Sequence, residues 1–216
     1  MSDNQEQSRA SSEQMVTPRL IVILGGARSG KSGFAERLAA SSGRSVAFIA
    51  TATAGDDEMR ERIARHRATR PKGWHTIEEP LDLAGAVRQA AELADVVLLD
   101  CVTLWLGNVL LQESGEYEKD GEEAEFHTTG RLFDERALKE CEALLTVVKS
   151  LGPNKTLIVV TNEVGLGVVP AYPLGRLYRD TLGYVNQRLA QAADRVYLMV
   201  AGMAVDLKRL HEEASL

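Results

Sequence analysis

The chain is poor in cysteine, with only Cys101 and Cys141 among 216 residues. The two lie far apart and lack metal-ligand spacing, so neither a disulfide framework nor a zinc site is expected. A reduced, cytoplasmic protein is the reading that follows. No apolar run reaches the ~18 residues of a membrane span, and no membrane insertion is expected. Positive charge is not in excess: the formal net charge of −6 argues against nucleic acid as a main partner. Residues 1–18 are polar, rich in Ser, Gln and Glu, and lack the apolar stretch of a secretory leader. They read as a disordered tail. Repeats and linkers are missing too, so 19–216 is expected to be a single domain. A hydrophobic fraction of 44% and a charged fraction of 26% suit a soluble globular chain able to bury a core.

Short apolar runs alternate with helical stretches. Strands are predicted at 19–24, 46–50, 74–77, 96–100, 156–161 and 196–201, with an edge strand at 204–207. Helices are predicted within 29–42, from Asp56-Asp57 to 69, and over 81–93, 102–111, 132–151 and 174–193. Segment 112–130 is acidic, contains three glycines and reads as a solvated insertion or mobile loop. The alternation implies an α/β fold, a mostly parallel sheet with helices on both faces.

One stretch organises the rest. Gly25-Gly26-Ala27-Arg28-Ser29-Gly30-Lys31-Ser32 fills every fixed position of G-x-x-x-x-G-K-S, after an apolar strand and before a helix. Glycines let the backbone curl so that successive N–H groups face phosphate oxygens, and the helix start adds its positive dipole end. Lys31 is placed for the β- and γ-phosphates, and the Ser32 hydroxyl for Mg²⁺. Asp100 ends the clearest interior strand, where an acid downstream of such a loop holds Mg²⁺ directly or through water.

The helix over 57–69 carries His66, four residues from both Arg62 and Arg70. Neighbouring guanidiniums disfavour the imidazolium, and a neutral imidazole is a nucleophile. On spacing alone, the plainer reading is preferred: a basic helix end complementing its own dipole, with His66 incidental. Thr161-Asn162-Glu163-Val164-Gly165 follows another buried strand and is expected to line the same pocket. A signalling GTPase would want Asn-Lys-x-Asp near here and Asp-x-x-Gly after the Asp100 strand. The chain has Asn-Glu-Val-Gly and Asp-Cys-Val-Thr instead, so that class fails.

These pieces recur in one order: the phosphate loop, Ile49-Ala50-Thr51-Ala52, Asp57-Glu58-Met59, Arg62-Ile63, His66, Arg70-Pro71, Trp74, Thr161 to Gly165, and Val185-Asn186-Gln187-Arg188-Leu189-Ala190. The set resembles the bifunctional adenosylcobinamide kinase / adenosylcobinamide-phosphate guanylyltransferase family of cobalamin biosynthesis, over about Arg19 to Lys208. The resemblance implies a RecA-like P-loop fold and two reactions. The first phosphorylates the aminopropanol hydroxyl of adenosylcobinamide from ATP or GTP. The second passes GMP from GTP, through a covalent histidine, to adenosylcobinamide phosphate, releasing pyrophosphate. It assigns His66 as that histidine, against the plainer reading above; relatives often carry two adjacent histidines where this chain has Arg65-His66. Nucleotide contacts are implied at Gly25 to Ser32, Ala50, Thr51, Ala52, Arg67, Ala68, Thr69, Arg70, Glu78 and Asp100. Many relatives carry Glu at that last position. A homotrimer is implied as well. On the residues alone, two alternatives stay open: a P-loop kinase for another small alcohol, and a non-catalytic nucleotide-binding protein.

Overall fold

The structure, a computed structural model, describes residues 17–53, 57–114 and 123–214. Its centre is a seven-stranded sheet: β1 (Leu20–Gly25), β2 (Val46–Ala50), β3 (His75–Glu78), β4 (Val96–Asp100), β5 (Thr156–Val160), β6 (Arg195–Val200) and β7 (Met203–Asp206). The order is β3-β2-β4-β5-β1-β6-β7, parallel except for β7, which pairs antiparallel with β6. Strands β1, β2 and β5 are buried along their whole length, and β4 as far as Asp100, as expected where both faces are covered.

Alternation along β1 sorts the two cores. Ile21 and Ile23 pack with Ala35 and Ala39 of α1 (Lys31–Ser41), whose small side chains let the helix lie close. Leu20, Val22 and Leu24 face the opposite layer. That layer holds α3 (Leu83–Leu93), α4 (Val102–Ser114), α5 (Glu123–Ser150) and α6 (Pro173–Ala192). Asp82 caps α3, accepting from the Gly85 N–H at 2.8 Å, which is worth about 1 kcal/mol. Trp105 is fully buried in α4 because its indole N–H reaches the Leu81 carbonyl at 2.8 Å. The mostly parallel sheet with helices on both faces is therefore as expected. Gly43 ends α1 in the left-handed region, φ 64°.

Two expectations need correction. Segment 112–130 is not a loop throughout: α4 runs to Ser114 and α5 begins at Glu123, leaving only 115–122 outside the described residues. Gly130 misleads a propensity reading; it is buried inside α5, where a Cβ would sit 3.6 Å from Leu177 of α6, and packing overrides its poor helix propensity. The chain also closes with α7 (Leu207–Ala214), which was not foreseen. The helix carrying the histidine is α2 (Asp57–Thr69); its expected cap Asp56 and tail residues 1–16 lie outside the described residues. Among the described residues, no helix is long and apolar enough to cross a membrane.

Candidate active site

The phosphate loop joins β1 to α1 through three positive φ values: Gly25 (150°), Arg28 (57°) and Gly30 (96°). Side chains could not replace two of these glycines. A Cβ on Gly25 would lie 2.6 Å from the Met199 carbonyl oxygen, and one on Gly30 would lie 3.3 Å from the Gly202 Cα. The turn between β6 and β7 thus buttresses the loop, and the Gly202 N–H donates to the Ser29 carbonyl at 3.0 Å. Gly30 is the N-cap of α1 and offers no side-chain cap. The start of a helix carries the positive end of its dipole, a setting that favours an anion. Lys31 is buried, its ammonium donating to the Gly26 carbonyl at 2.7 Å, folded across the loop it is expected to serve. The Ser29 hydroxyl oxygen is buried without a partner among the described residues.

β5 lies between β4 and β1, so the turn after β5 separates Asp100 from the loop. That turn is tied down on both sides. The Thr161 N–H donates to the Ile23 carbonyl at 3.0 Å and the Glu163 N–H to the Gly25 carbonyl at 3.1 Å. Asn186 of α6 accepts from the Thr161 hydroxyl at 2.8 Å and donates to the Asn162 carbonyl at 3.0 Å. The Asn162 N–H reaches the Thr103 hydroxyl at 2.7 Å. Asp100 is half-buried at its strand end and Ser32 lies in the first turn of α1; both carry the hard oxygen atoms of the type Mg²⁺ takes as ligands. Among the described residues, no cluster of three or more His, Cys, Asp or Glu offers a separate metal site.

Thr51 ties two strand ends together. It is fully buried, and its hydroxyl donates to the Cys101 carbonyl at 2.7 Å and accepts from the Cys101 N–H at 2.9 Å. Its own N–H and carbonyl are taken by Asp100 and Asn108. With its hydroxyl, N–H and carbonyl all engaged inside, Thr51 holds the ends of β2 and β4 together. Cys101 is no candidate nucleophile, because burial pushes its thiol up to about 12.

Ala52, Thr53, Arg60, Ile63, Ala64, Arg67, Ala68, Glu78 and Pro80 line an open cleft of ≈ 860 Å³ between α2 and the ends of β2 and β3. Apolar walls flank one carboxylate, Glu78, which pairs with Arg67 at 2.6 Å. His66 lies in α2 between the cleft-lining pairs 63–64 and 67–68; its side chain, with those of Arg62 and Thr69, is outside the described set. Arg70, just past the helix, turns under it. Its guanidinium carbon sits 3.5 Å from the centre of the Phe48 ring. Burial lowers its pKa while the carboxylates of Asp100 and Glu36 oppose that shift, so it is near both. Sequence reading missed Asn108, which donates to the Thr51 carbonyl at 2.8 Å and the Pro80 carbonyl at 3.1 Å and accepts from Thr53 at 3.2 Å. A lone amide within the apolar run of α4 was the available signal.

Residues 21–207 match the family model described as cobinamide kinase / cobinamide phosphate guanyltransferase. The chain is 49% identical, over 87% of its length and 96% of the relative's, to the bifunctional adenosylcobalamin biosynthesis protein CobP of Pseudomonas aeruginosa. It is 40% identical to CobU of Escherichia coli, over 88% of this chain and 99% of that one. Among solved structures, an ATPase from the type III secretion system of pathogenic bacteria matches with a TM-score of 0.53 at 12% identity, covering 90% of this chain and 53% of the longer ATPase. That likeness speaks for a P-loop ATPase type of fold alone.

Proposed function

The chain belongs to the cobinamide kinase / cobinamide phosphate guanyltransferase family, and from that premise we infer a two-step division of labour among its residues. The protein is a bifunctional enzyme of cobalamin biosynthesis, with kinase and guanylyltransferase activities. In the kinase step, the amides of 26–32 and Lys31 hold the β- and γ-phosphates of ATP or GTP, and the aminopropanol hydroxyl attacks the γ-phosphorus as ADP or GDP departs. Lys31 gives up the Gly26 carbonyl for phosphate oxygens. Mg²⁺ bound with the nucleotide at Ser32 and Asp100 would neutralise the triphosphate charge.

In the second step, the neutral imidazole of His66 attacks the α-phosphorus of GTP, forming a P–N bond while pyrophosphate leaves. A phosphate oxygen of adenosylcobinamide phosphate then attacks that phosphorus, the P–N bond breaks, and adenosylcobinamide-GDP is released. Ala52, Ala64, Ala68 and Pro80 suit the faces of a purine. Glu78 is the group to accept from the guanine N1–H and exocyclic amine, which adenine does not offer in that pattern. Arg67 and Arg70 border the nucleotide from the end of α2. A homotrimer, a cytoplasmic location, and one domain spanning 19–216 complete the reading. The mass of the native particle in sedimentation should be three times that of the chain.

The observation that carries the reading is the cradle itself: an uncapped helix start, inward-curling backbone and a buried ammonium converge at one sheet edge. The test is incubation with adenosylcobinamide, GTP and Mg²⁺, with products resolved by mass. GTP labelled at the α-phosphate should leave an acid-labile, base-stable mark that His66→Ala abolishes while kinase turnover persists. A label that survives in the variant would move the nucleophile elsewhere.

A further inference from the structure

The loop after β5 carries an exposed apolar surface apart from the residues that line the α2 cleft. Between β5 and α6 the chain exposes Leu166 (85%), Val168 (95%), Val169 (60%) and Tyr172 (79%), continued by Leu174 in the first turn of α6. Single exposed apolar side chains are ordinary; five within nine residues form a patch of the kind that marks a docking surface. The segment is braced. The Gly165 N–H donates to the Glu163 carboxylate at 2.6 Å, and the Arg176 guanidinium donates to the Pro170 carbonyl at 3.0 Å and to the Ala171 carbonyl at 2.7 Å. A Cβ on Gly175 would come within 2.9 Å of the Pro170 Cβ. The apolar tips are thus presented on a supported loop, and its root is the Glu163–Gly25 hydrogen bond to the last residue of the phosphate-loop strand.

We propose that this platform seats the corrin ring of the acceptor, with the aminopropanol arm running from it to the phosphate loop. The proposal rests on the cobinamide reading above. The acceptor reacts at the end of a short arm, so its bulk has to rest against a surface bordering the phosphate loop. Farther along the sheet, past β5 and β4, the end of β2 borders the cleft assigned to the nucleotide base, so that surface is already taken on this reading. The turn leaving β5 stands between the strand that leads into the phosphate loop and the strand that ends at Asp100, and the acceptor hydroxyl would approach the γ-phosphate beside it. A corrin is a broad ring studded with methyl groups. Leu166, Val168 and Tyr172 offer apolar contact to its face, and backbone groups of the loop can meet its amide arms.

The test uses the full chain carrying Leu166→Ser with Val168→Ser, and separately Tyr172→Ser. Equilibrium dialysis against adenosylcobinamide is read by the visible absorption of the corrin. GTP affinity, melting temperature and sedimentation are measured beside it. The Kd for adenosylcobinamide should rise at least about tenfold in the double variant, with GTP affinity, melting and particle size unchanged. An unchanged corrinoid Kd overturns the platform. So does a weakened one accompanied by a smaller particle, which would make the patch a contact between copies of the chain. If wild-type protein binds no adenosylcobinamide while still binding GTP, the cobinamide reading itself falls, and the platform with it.

Discussion

Replacing Thr51 by Val separates a structural tie from a ligand contact. Valine has nearly the same shape, so no cavity opens; only the hydroxyl is lost. That hydroxyl makes two hydrogen bonds, of 2.7 and 2.9 Å, to the main chain of Cys101, which is itself 8% exposed. Each buried backbone group left unpaired costs about 1–3 kcal/mol, part of which local relaxation recovers. The expected loss is about 2–4 kcal/mol, a large share of a typical stability of about 5–15 kcal/mol. With a urea slope of about 2 kcal/mol/M, the unfolding midpoint should fall by roughly 1–2 M at unchanged slope. Thr51→Ser keeps the hydroxyl, drops one methyl and should lose only about 1 kcal/mol. GTP affinity, measured well below the transition, should stay within about threefold of wild type in both, a change of less than about 0.7 kcal/mol. A valine variant as stable as wild type would refute the accounting. So would one that keeps its midpoint but loses GTP binding, which would make Thr51 a ligand contact after all.

Lys31→Ala should lower both activities by about 10²–10³-fold, read as initial rates of phosphoryl and guanylyl transfer, while circular dichroism stays native. Asp95 should set part of the acid limb of stability. Hydrogen bonds from Lys155 and Ser45 hold its carboxyl below the ordinary range, so its stabilisation is present above that range and lost as pH falls through the lowered value. Asp95→Asn should flatten the urea midpoint against pH in that window and leave activity at neutral pH unchanged.

Most of the sheet was readable because its strands are continuous apolar runs between turn residues, and a run buried on both faces needs no register information to be recognised. The phosphate loop was readable for another reason: its chemistry forces residue types at fixed spacing. Where the reading failed, long-range contacts decided the outcome. Gly130 is helical because it packs on Leu177, across 47 residues of sequence. The Thr51 hydroxyl is taken up by Cys101, 50 residues away, a tie that no local pattern reveals. Arg70 lies just past the end of α2 with its guanidinium over Phe48 of β2, a contact that spacing does not show. Asn108 and Asn186 are polar residues within otherwise apolar helix faces; sequence shows such an amide but not the two loops it joins.

On the proposed reading one cradle can serve both reactions, because in both the leaving group that gains negative charge includes the β-phosphate. In phosphoryl transfer the γ-phosphate crosses to the acceptor and charge grows at the β–γ bridge. In guanylyl transfer the β- and γ-phosphates leave together, and charge grows on pyrophosphate. Amides at 26–32 and the Lys31 ammonium, in their proposed roles, would meet that charge in either case, so the loop would not select between the two steps. Selection would then fall to which nucleophile reaches which phosphorus: in the proposed scheme, a hydroxyl approaching beside the β5 turn for γ and an imidazole on α2 for α. Loss of Lys31 is therefore expected to strike both activities and loss of His66 only one. The sheet keeps these two lines of attack apart, since β5 and β4 stand between the phosphate-loop strand and the strand whose end borders the cleft.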